Sequence, residues 1–444
     1  MKLIQLASSA VLSLVSAVGF VWLVKTHLNR HRTPSTKTTF GRELREAEFC
    51  IDSSVCLCNN GSFGAVPYKV IQQQQRYIEE REKNPELWYR RQYAPSRFPS
   101  NAGCNMYMQA VTAVANFVGA DPKNLVLVEN TTTAINSVLK NLSLAKGDKI
   151  LLTTHTYGAV LKTVQEVCNN KGCETVTVDV PLPLSSEDDI VKIYSEILDL
   201  HSNIKVAVLD HITSSSAILM PMEKLAVCCR AKGVLVLVDG AHAPGQLPLD
   251  LRNLDVDFYC GNLHKWLFSA RGCALLWIHP RQQDIIRHVI TSHHAQSTSL
   301  TDRFCFIGTR DNIPYYTAPA AIQFHQDLGG LERINPYNSS LVVWAADMLA
   351  KAWKTECLAI PSHMRAPFMA VIAIPETDEY PSTKETCSQL MADVYHKSNV
   401  FAAFSYFNQR LWCRISGHVY NCPEDYYKLR DAVLQVIPLP PIQN

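Results

Sequence analysis

Seven short runs rich in β-branched and apolar residues recur through the middle of the chain, at 125–128, 149–153, 175–178, 205–209, 234–238, 257–260 and 274–278. Runs without a polar face suit strands of a parallel sheet that is covered on both sides. Stretches with helical spacing lie between most of them, at 132–142, 158–171, 187–201 and 222–232. The last two runs follow each other with no such stretch between them, which points to an antiparallel edge. Beyond 311 the pattern changes to a helical stretch near 317–353, strand runs at 368–374 and 411–416, and helices near 383–397 and 423–436. The expected fold is α/β. A large domain with a mostly parallel seven-stranded sheet spans 45–310 and includes an N-terminal arm, and a smaller α+β domain spans 311–444.

Ahead of these elements, residues 3–24 carry no charge. As a helix this run would be ~33 Å long, enough to cross a bilayer core. Residues 1–25 are therefore expected to be a hydrophobic anchor and 26–44 a linker. Lys25, Arg30, Arg32 and Lys37 follow the run and only Lys2 precedes it. The positive-inside bias then places the body in the cytosol. Cleavage, leaving a soluble body, is the alternative: Ala17-Val18-Gly19 has the small-x-small form, but the apolar run continues to Val24. Four glycosylation acceptors, at Asn60, Asn130, Asn141 and Asn338, would be exposed to modification in a lumenal body.

Across all 444 residues, 42 basic side chains face 40 acidic ones, a net charge of +2, so there is no basic surface that calls for nucleic acid. The 15 cysteines sit mostly inside apolar runs and read as small buried hydrophobes in a reducing compartment. Cys56-Leu-Cys58 is weak evidence for a metal, and no phosphate-loop or dinucleotide glycine motif is present.

Three places carry chemistry. Asp239 ends a buried strand at the edge where open α/β sheets bind ligands, although an aspartate there also caps turns. Lys265 sits in Asn-Leu-His-Lys-Trp-Leu-Phe (262–268). A desolvated lysine there is an imine-forming amine, and a snorkelling surface lysine is the plainer reading. Asn-Thr-Thr-Thr (130–133) opens a helix after a strand, as an anion site or as ordinary caps. Pyridoxal phosphate needs all three: a lysine for its aldehyde, an anion site for its phosphate and a carboxylate for its ring nitrogen.

The combination resembles the class V aminotransferases, pyridoxal-phosphate enzymes of fold type I, and within them the branch of isopenicillin N epimerase-like and cysteine desulfhydrase-like proteins. The carrying segments are 59–67, 130–136, 157–160, 239–245, 261–265, 307–311 and 414–421, over a body of about 45–436. The resemblance implies that Lys265 holds the cofactor and shuttles protons, that Asp239 pairs with its ring nitrogen, and that His242 reaches the phenolic oxygen or the substrate. Thr132 and Thr133, with Asn262 and His264, would hold the phosphate. Tyr157 would stack on the ring, with His155 as the alternative, and Thr213 would contact the phenolic oxygen. Thr309 would reach the cofactor of a neighbouring subunit, which implies a homodimer with shared sites. Arg414 would grip the carboxylate of a small amino-acid substrate lined by Asn59, Asn60 and Ser62.

Two departures from the family pattern stand out. Ser-Ala-Arg-Gly (269–272) replaces the usual turn after the lysine and brings Arg271 near the site. None of Cys305, Cys357, Cys387, Cys413 and Cys422 lies in the small-residue loop that a persulfide mechanism uses. The favoured function is a C–S lyase that converts cysteine to sulfide, pyruvate and ammonia. An epimerase or aminotransferase is the first alternative, and a membrane-tethered non-catalytic binding protein is the second.

Overall fold

The computed structural model describes residues 39–93, 97–98 and 105–438. Its main sheet has seven strands: β2 (Leu125–Val128), β3 (Lys149–Thr153), β4 (Glu174–Val178), β5 (Ile204–Asp210), β6 (Leu235–Asp239), β7 (Phe258–Asn262) and β8 (Ala274–Ile278). They lie in the order β2-β8-β7-β6-β5-β3-β4. The run β4-β3-β5-β6-β7 is parallel, and β8 is antiparallel to both β7 and β2. The connection from β7 to β8 holds no helix, so the chain turns straight back. Lys265 lies in that connection.

Side chains alternate across each strand and sort into two cores. Val126, Val128, Val206, Val208 and Leu237 pack against helices Thr131–Asn141 and Gly158–Lys171. Leu125, Leu127, Ala207, Leu209, Val236 and Val238 pack on the other face, with residues of helices Met106–Phe117, Glu187–Leu200 and Met222–Ala231. Both faces of the inner strands are therefore dry, which accounts for their apolar runs, whereas edge strand β4 is largely exposed.

A second, antiparallel sheet has the order β11 (Ala403–Phe407), β12 (Arg410–Ser416), β9 (Met369–Ala373). It shares a third core with helices Gly330–Trp353, Lys384–Ser398 and Pro423–Val436. Two-residue strands β1 (Cys56–Leu57) and β10 (Val400–Phe401) pair in parallel. The Cys58 amide then donates to Phe401 O at 2.8 Å, and the Ser416 amide to Cys58 O at 2.8 Å. These bonds fix the start of the 59–64 turn beside the end of β12.

Three differences from the sequence pattern have local causes. The helix expected over 317–353 is two helices, Ala318–Asp327 and Gly330–Trp353, because Gly329 (φ 97°) and Gly330 (φ 64°) occupy left-handed backbone that ends a right-handed helix. Strand β11 escaped the pattern because its residues are all half-buried and its turn to β12, Asn408-Gln409, takes positive φ without a glycine. The arm before β2 contains helices, among them Tyr68–Lys83 and Pro85–Tyr93. The apolar run 3–24 lies outside the described residues. Among the described residues no helix is long and apolar enough to cross a membrane.

Candidate active site

The carboxyl edge of the parallel strands opens into a cleft of roughly 720 Å³ including its mouth. Three of its lining residues are the last residues of adjacent strands: Asp210 of β5, Asp239 of β6 and Asn262 of β7. A fourth wall is the start of helix Thr131–Asn141, where Thr132 is exposed to the cleft. Asn262 locks this helix to the sheet. Its Oδ1 accepts from the Thr131 amide at 3.1 Å, and its Nδ2 donates to the Thr131 hydroxyl at 3.2 Å. Asn130 caps the same helix, accepting from the Thr133 amide at 2.8 Å. The helix start therefore presents Thr132 to the cleft beside His264, with the dipole favouring an anion. Thr133 is not among the lining residues.

Lys265 is held by its backbone as much as by its side chain. The Gly64 amide donates to His264 O at 3.1 Å. A Cβ on Gly64 would lie 2.2 Å from Lys265 O. On the other side, Gly245 sits at φ +84° and a Cβ there would lie 2.7 Å from Trp266 C and O. These contacts explain glycine in two of the segments singled out from the sequence.

The Lys265 Nζ lies 3.1 Å from His242 Nε2. Burial, with help from the Arg414 charge and against the pull of Asp239, lowers the Lys265 ammonium to about 7. Burial first, then the positive neighbours Lys265 and Arg414, pushes His242 well below the usual imidazole range, so it stays neutral. Asp239 is 5% exposed, and its Oδ1 accepts from the Ala241 amide at 3.0 Å. Burial raises its carboxyl, while that hydrogen bond and Lys265 pull it back toward ionisation.

Arg414, on β12, is 4% exposed and reaches across to the cleft's lip. It donates to Ser214 O at 2.5 Å, to Asn59 Oδ1 at 2.7 Å and to Ser62 Oγ at 3.1 Å. Asn59, Ser62 and Arg414 thus come together as expected. Tyr157, 49% exposed, stands in the cleft wall at the start of helix Gly158–Lys171.

The structure does not bring every expected residue to the cleft. Asn60 is buried beneath the turn, donating to Asn421 Oδ1 at 2.6 Å and accepting from the Tyr420 hydroxyl at 3.1 Å, so its polar atoms do not line the substrate side. The Thr213 hydroxyl closes its own loop, with Ser216 Oγ at 2.8 Å and the Ile218 amide at 2.8 Å. His155 is buried, with Nδ1 at 3.1 Å from Ser216 Oγ and an edge contact to Phe407, and does not line the cleft. Thr309 is exposed and is not among the residues lining the cleft of its own chain. Arg271 donates to Gly64 O at 2.8 Å, bracing the 59–64 turn. The cleft adds Thr131, Asp210, Ser214 and Phe63, which the sequence reading did not single out. Asp210 had a signal, since it ends its strand as Asp239 ends the next.

The residues fit pyridoxal phosphate. Lys265 offers an amine near neutrality, Asp239 a carboxylate and Thr132 an anion-binding helix start, all around one cleft. Two buried polar atoms there, His242 Nδ1 and Asp210 Oδ2, have no hydrogen-bond partner among the described residues. No group of acidic, histidine and cysteine side chains suited to a metal occurs among the described residues.

Comparison with known proteins places the chain. The sequence profile of the family described as aminotransferase class-V matches residues 65–429. The putative L-cysteine desulfhydrase 1 of Oryza sativa subsp. japonica is 32% identical over 419 residues, covering 87% of this chain and 84% of the relative. A cystine C–S lyase, C-DES, solved with its reaction product cysteine persulfide, superposes with a TM-score of 0.67 at 20% identity, covering 86% of this chain and 97% of that one. A variant of C-DES with glycine covalently linked to its PLP cofactor superposes with a TM-score of 0.68 at 20% identity, covering 86% of this chain and 96% of that one. The last two show the shared fold. The chain belongs to the class-V aminotransferases, a family of pyridoxal-phosphate enzymes.

Two outcomes are expected from this geometry. Capture of pyridoxal phosphate by the cofactor-free chain, followed by absorbance, will quicken with rising pH around a midpoint near 7, because only the neutral amine attacks and the Lys265 ammonium is lowered to about 7. A midpoint above ~10, the ordinary lysine range, would contradict the buried setting. Gly64→Ala will displace the lysine loop and weaken cofactor capture at least ~10-fold, read by titration, since its Cβ meets backbone that cannot swing aside.

Proposed function

We propose that the chain is a pyridoxal-phosphate-dependent lyase that breaks the Cβ–S bond of a small cysteine-type L-amino acid. With L-cysteine and water the products are hydrogen sulfide, pyruvate and ammonia. The observation that carries this reading is the buried Lys265 Nζ, 3.1 Å from a neutral His242, facing Asp239 and within reach of the Arg414 charge. The desulfhydrase relative supports the substrate class.

The residues divide the work by chemistry. When bound, pyridoxal phosphate supplies the electron sink that makes a substrate α-proton acidic. Asp239 holds the proton on the ring nitrogen that keeps this sink strong. Arg414 offers a planar fork, now occupied by Ser214, Asn59 and Ser62, to a substrate carboxylate. Lys265 Nζ takes the α-proton, and a pKa lowered to about 7 suits a base at neutral pH. His242 Nε2 orients that amine. Tyr157 would stack on the cofactor ring, and Thr132 and His264 would hold its phosphate at the helix start that Asn262 locks in place. No cysteine lines the cleft among the described residues, which favours direct release of the sulfur over a protein persulfide.

The wider organisation is proposed as well. The lysine-bearing sheet belongs to a large domain, 45–310, and Arg414 to a small one, 311–444. Exposed Thr309 fits a homodimer in which it reaches the partner's cofactor. Residues 3–24 would anchor the body to a membrane on its cytosolic side. Asn60 and Asn338, at 1% and 0% exposure, favour that side, because a glycan on either would block folding.

The decisive assay incubates the cofactor-loaded full chain with L-cysteine in deuterated water. Sulfide and pyruvate in equal amounts are the expected products. Deuterium at the α-carbon with scrambled chirality would make the chain an epimerase instead. Conversion of the cofactor to its amine form would make it an aminotransferase. No turnover of any amino acid would leave a binding protein. Lys265→Ala is expected to lose the visible cofactor band and at least ~1,000-fold in turnover. Arg414→Lys should raise KM at least ~10-fold with a smaller effect on kcat, because a point charge loses the two-pronged grip.

A further inference from the structure

Asp210 is a second carboxyl in the cofactor cleft. Asp210 and Asp239 are direct partners in the parallel pairing of β5 with β6. Residues in register on neighbouring strands point to the same face, and both line the same cleft. Asp210 is 3% exposed, and its Oδ2 has no hydrogen-bond partner among the described residues. The Thr156 hydroxyl and the Tyr157 amide approach the carboxyl and favour its ionised form, so it also touches the turn that carries the ring-stacking tyrosine.

Two buried carboxylates side by side cannot both be ionised cheaply. Of the charged neighbours, Lys265 pulls Asp239 toward ionisation, whereas the charge that acts most on Asp210 is that of Asp239 itself. Tyr194, from helix Glu187–Leu200, and Tyr259 and Cys260, from β7, are held neutral by burial. His211 turns its Nδ1 to the Tyr259 hydroxyl at 2.7 Å, and burial lowers it to about 4. His242 is neutral, and Arg414 acts on Lys265 and His242. Burial and the Asp239 charge push Asp210 well above the usual carboxylate range.

We propose that Asp210 is a cofactor-facing carboxyl that carries the proton of the Asp210–Asp239 pair, leaves Asp239 as the single anion for the ring nitrogen, and ties the Tyr157 turn to the sheet. The proposal rests on the cofactor reading above. It predicts that a neutral amide of the same shape replaces Asp210 far better than it replaces Asp239.

The test uses the full chain and its titration with pyridoxal phosphate. Asp239→Asn should weaken binding at least ~10-fold, Asp210→Ala similarly, and Asp210→Asn no more than ~3-fold. Asp210→Asn falling as far as Asp239→Asn, or Asp210→Ala staying within ~3-fold of wild type, would overturn the proposal.

A second readout separates proton holding from packing. A carboxyl whose folded pKa is raised costs stability as pH climbs from its unfolded value, ~4, toward the folded one, and the cost persists above it. The denaturation midpoint of cofactor-free Asp210→Asn, minus that of wild type, should therefore grow between pH 4 and pH 8. A difference independent of pH would overturn the proposal, and this readout stands even if Asp210→Ala fails to fold. Wild type with no visible cofactor band would sink the cofactor reading itself, whereas a normal band with Asp210 variants indistinguishable from wild type sinks only this proposal.

Discussion

A lysine amine taken out of water is the constraint on which the rest of the site depends. A buried ammonium is expensive unless paired, and the protein lowers its proton affinity instead of pairing it closely. Asp239 offsets part of the cost, Arg414 adds to it, and the Nε2 of neutral His242 lies 3.1 Å from the amine. The outcome is a nucleophile at neutral pH that a surface lysine could not match. It is kept in place by backbone contacts with Gly64 and Gly245, where no larger residue fits.

The fold supplies the surroundings of that amine through strand register. Parallel strands end at a common edge, so Asp210 and Asp239 arrive side by side, with Asn262 two residues past the Asp239 partner on the next strand. The antiparallel return from β7 to β8 gives the lysine loop its short span. The second sheet contributes Arg414 from β12, and the β1–β10 link holds the 59–64 turn between the two. Ionisable groups around the cleft are few and local: two carboxyls that share one proton, one amine and one guanidinium. That agrees with an overall charge near zero and a small, zwitterionic substrate.

Much of this was legible in the chain. The inner strands show as apolar runs because both their faces are dry, the exposed edge strand β4 shows through its alternating Thr-Val residues, and Asp239 and Lys265 stand out as ionisable residues against apolar ones. What escaped was set by tertiary contacts. Asn60 and Asn59 are neighbours of one type, yet only Asn59 meets Arg414, while Asn60 binds Asn421 and Tyr420 far along the chain. Thr213, which the resemblance implies as a cofactor contact, has its hydroxyl engaged within its own loop. Strand β11 lacked a turn signal, and two adjacent glycines divided one expected helix. Asp210 ends its strand as Asp239 does, a signal present in the chain, but the pairing of the two carboxyls appears only in the strand register.

The reading of the site stands or falls with Lys265 as the residue joined to the cofactor. Borohydride reduction of the pyridoxal-phosphate-loaded full chain, followed by peptide mass spectrometry, tests it most directly. The account predicts a stable cofactor tag on Lys265 and on no other lysine in stoichiometric yield. A tag at another lysine, or none on a loaded chain, would contradict it.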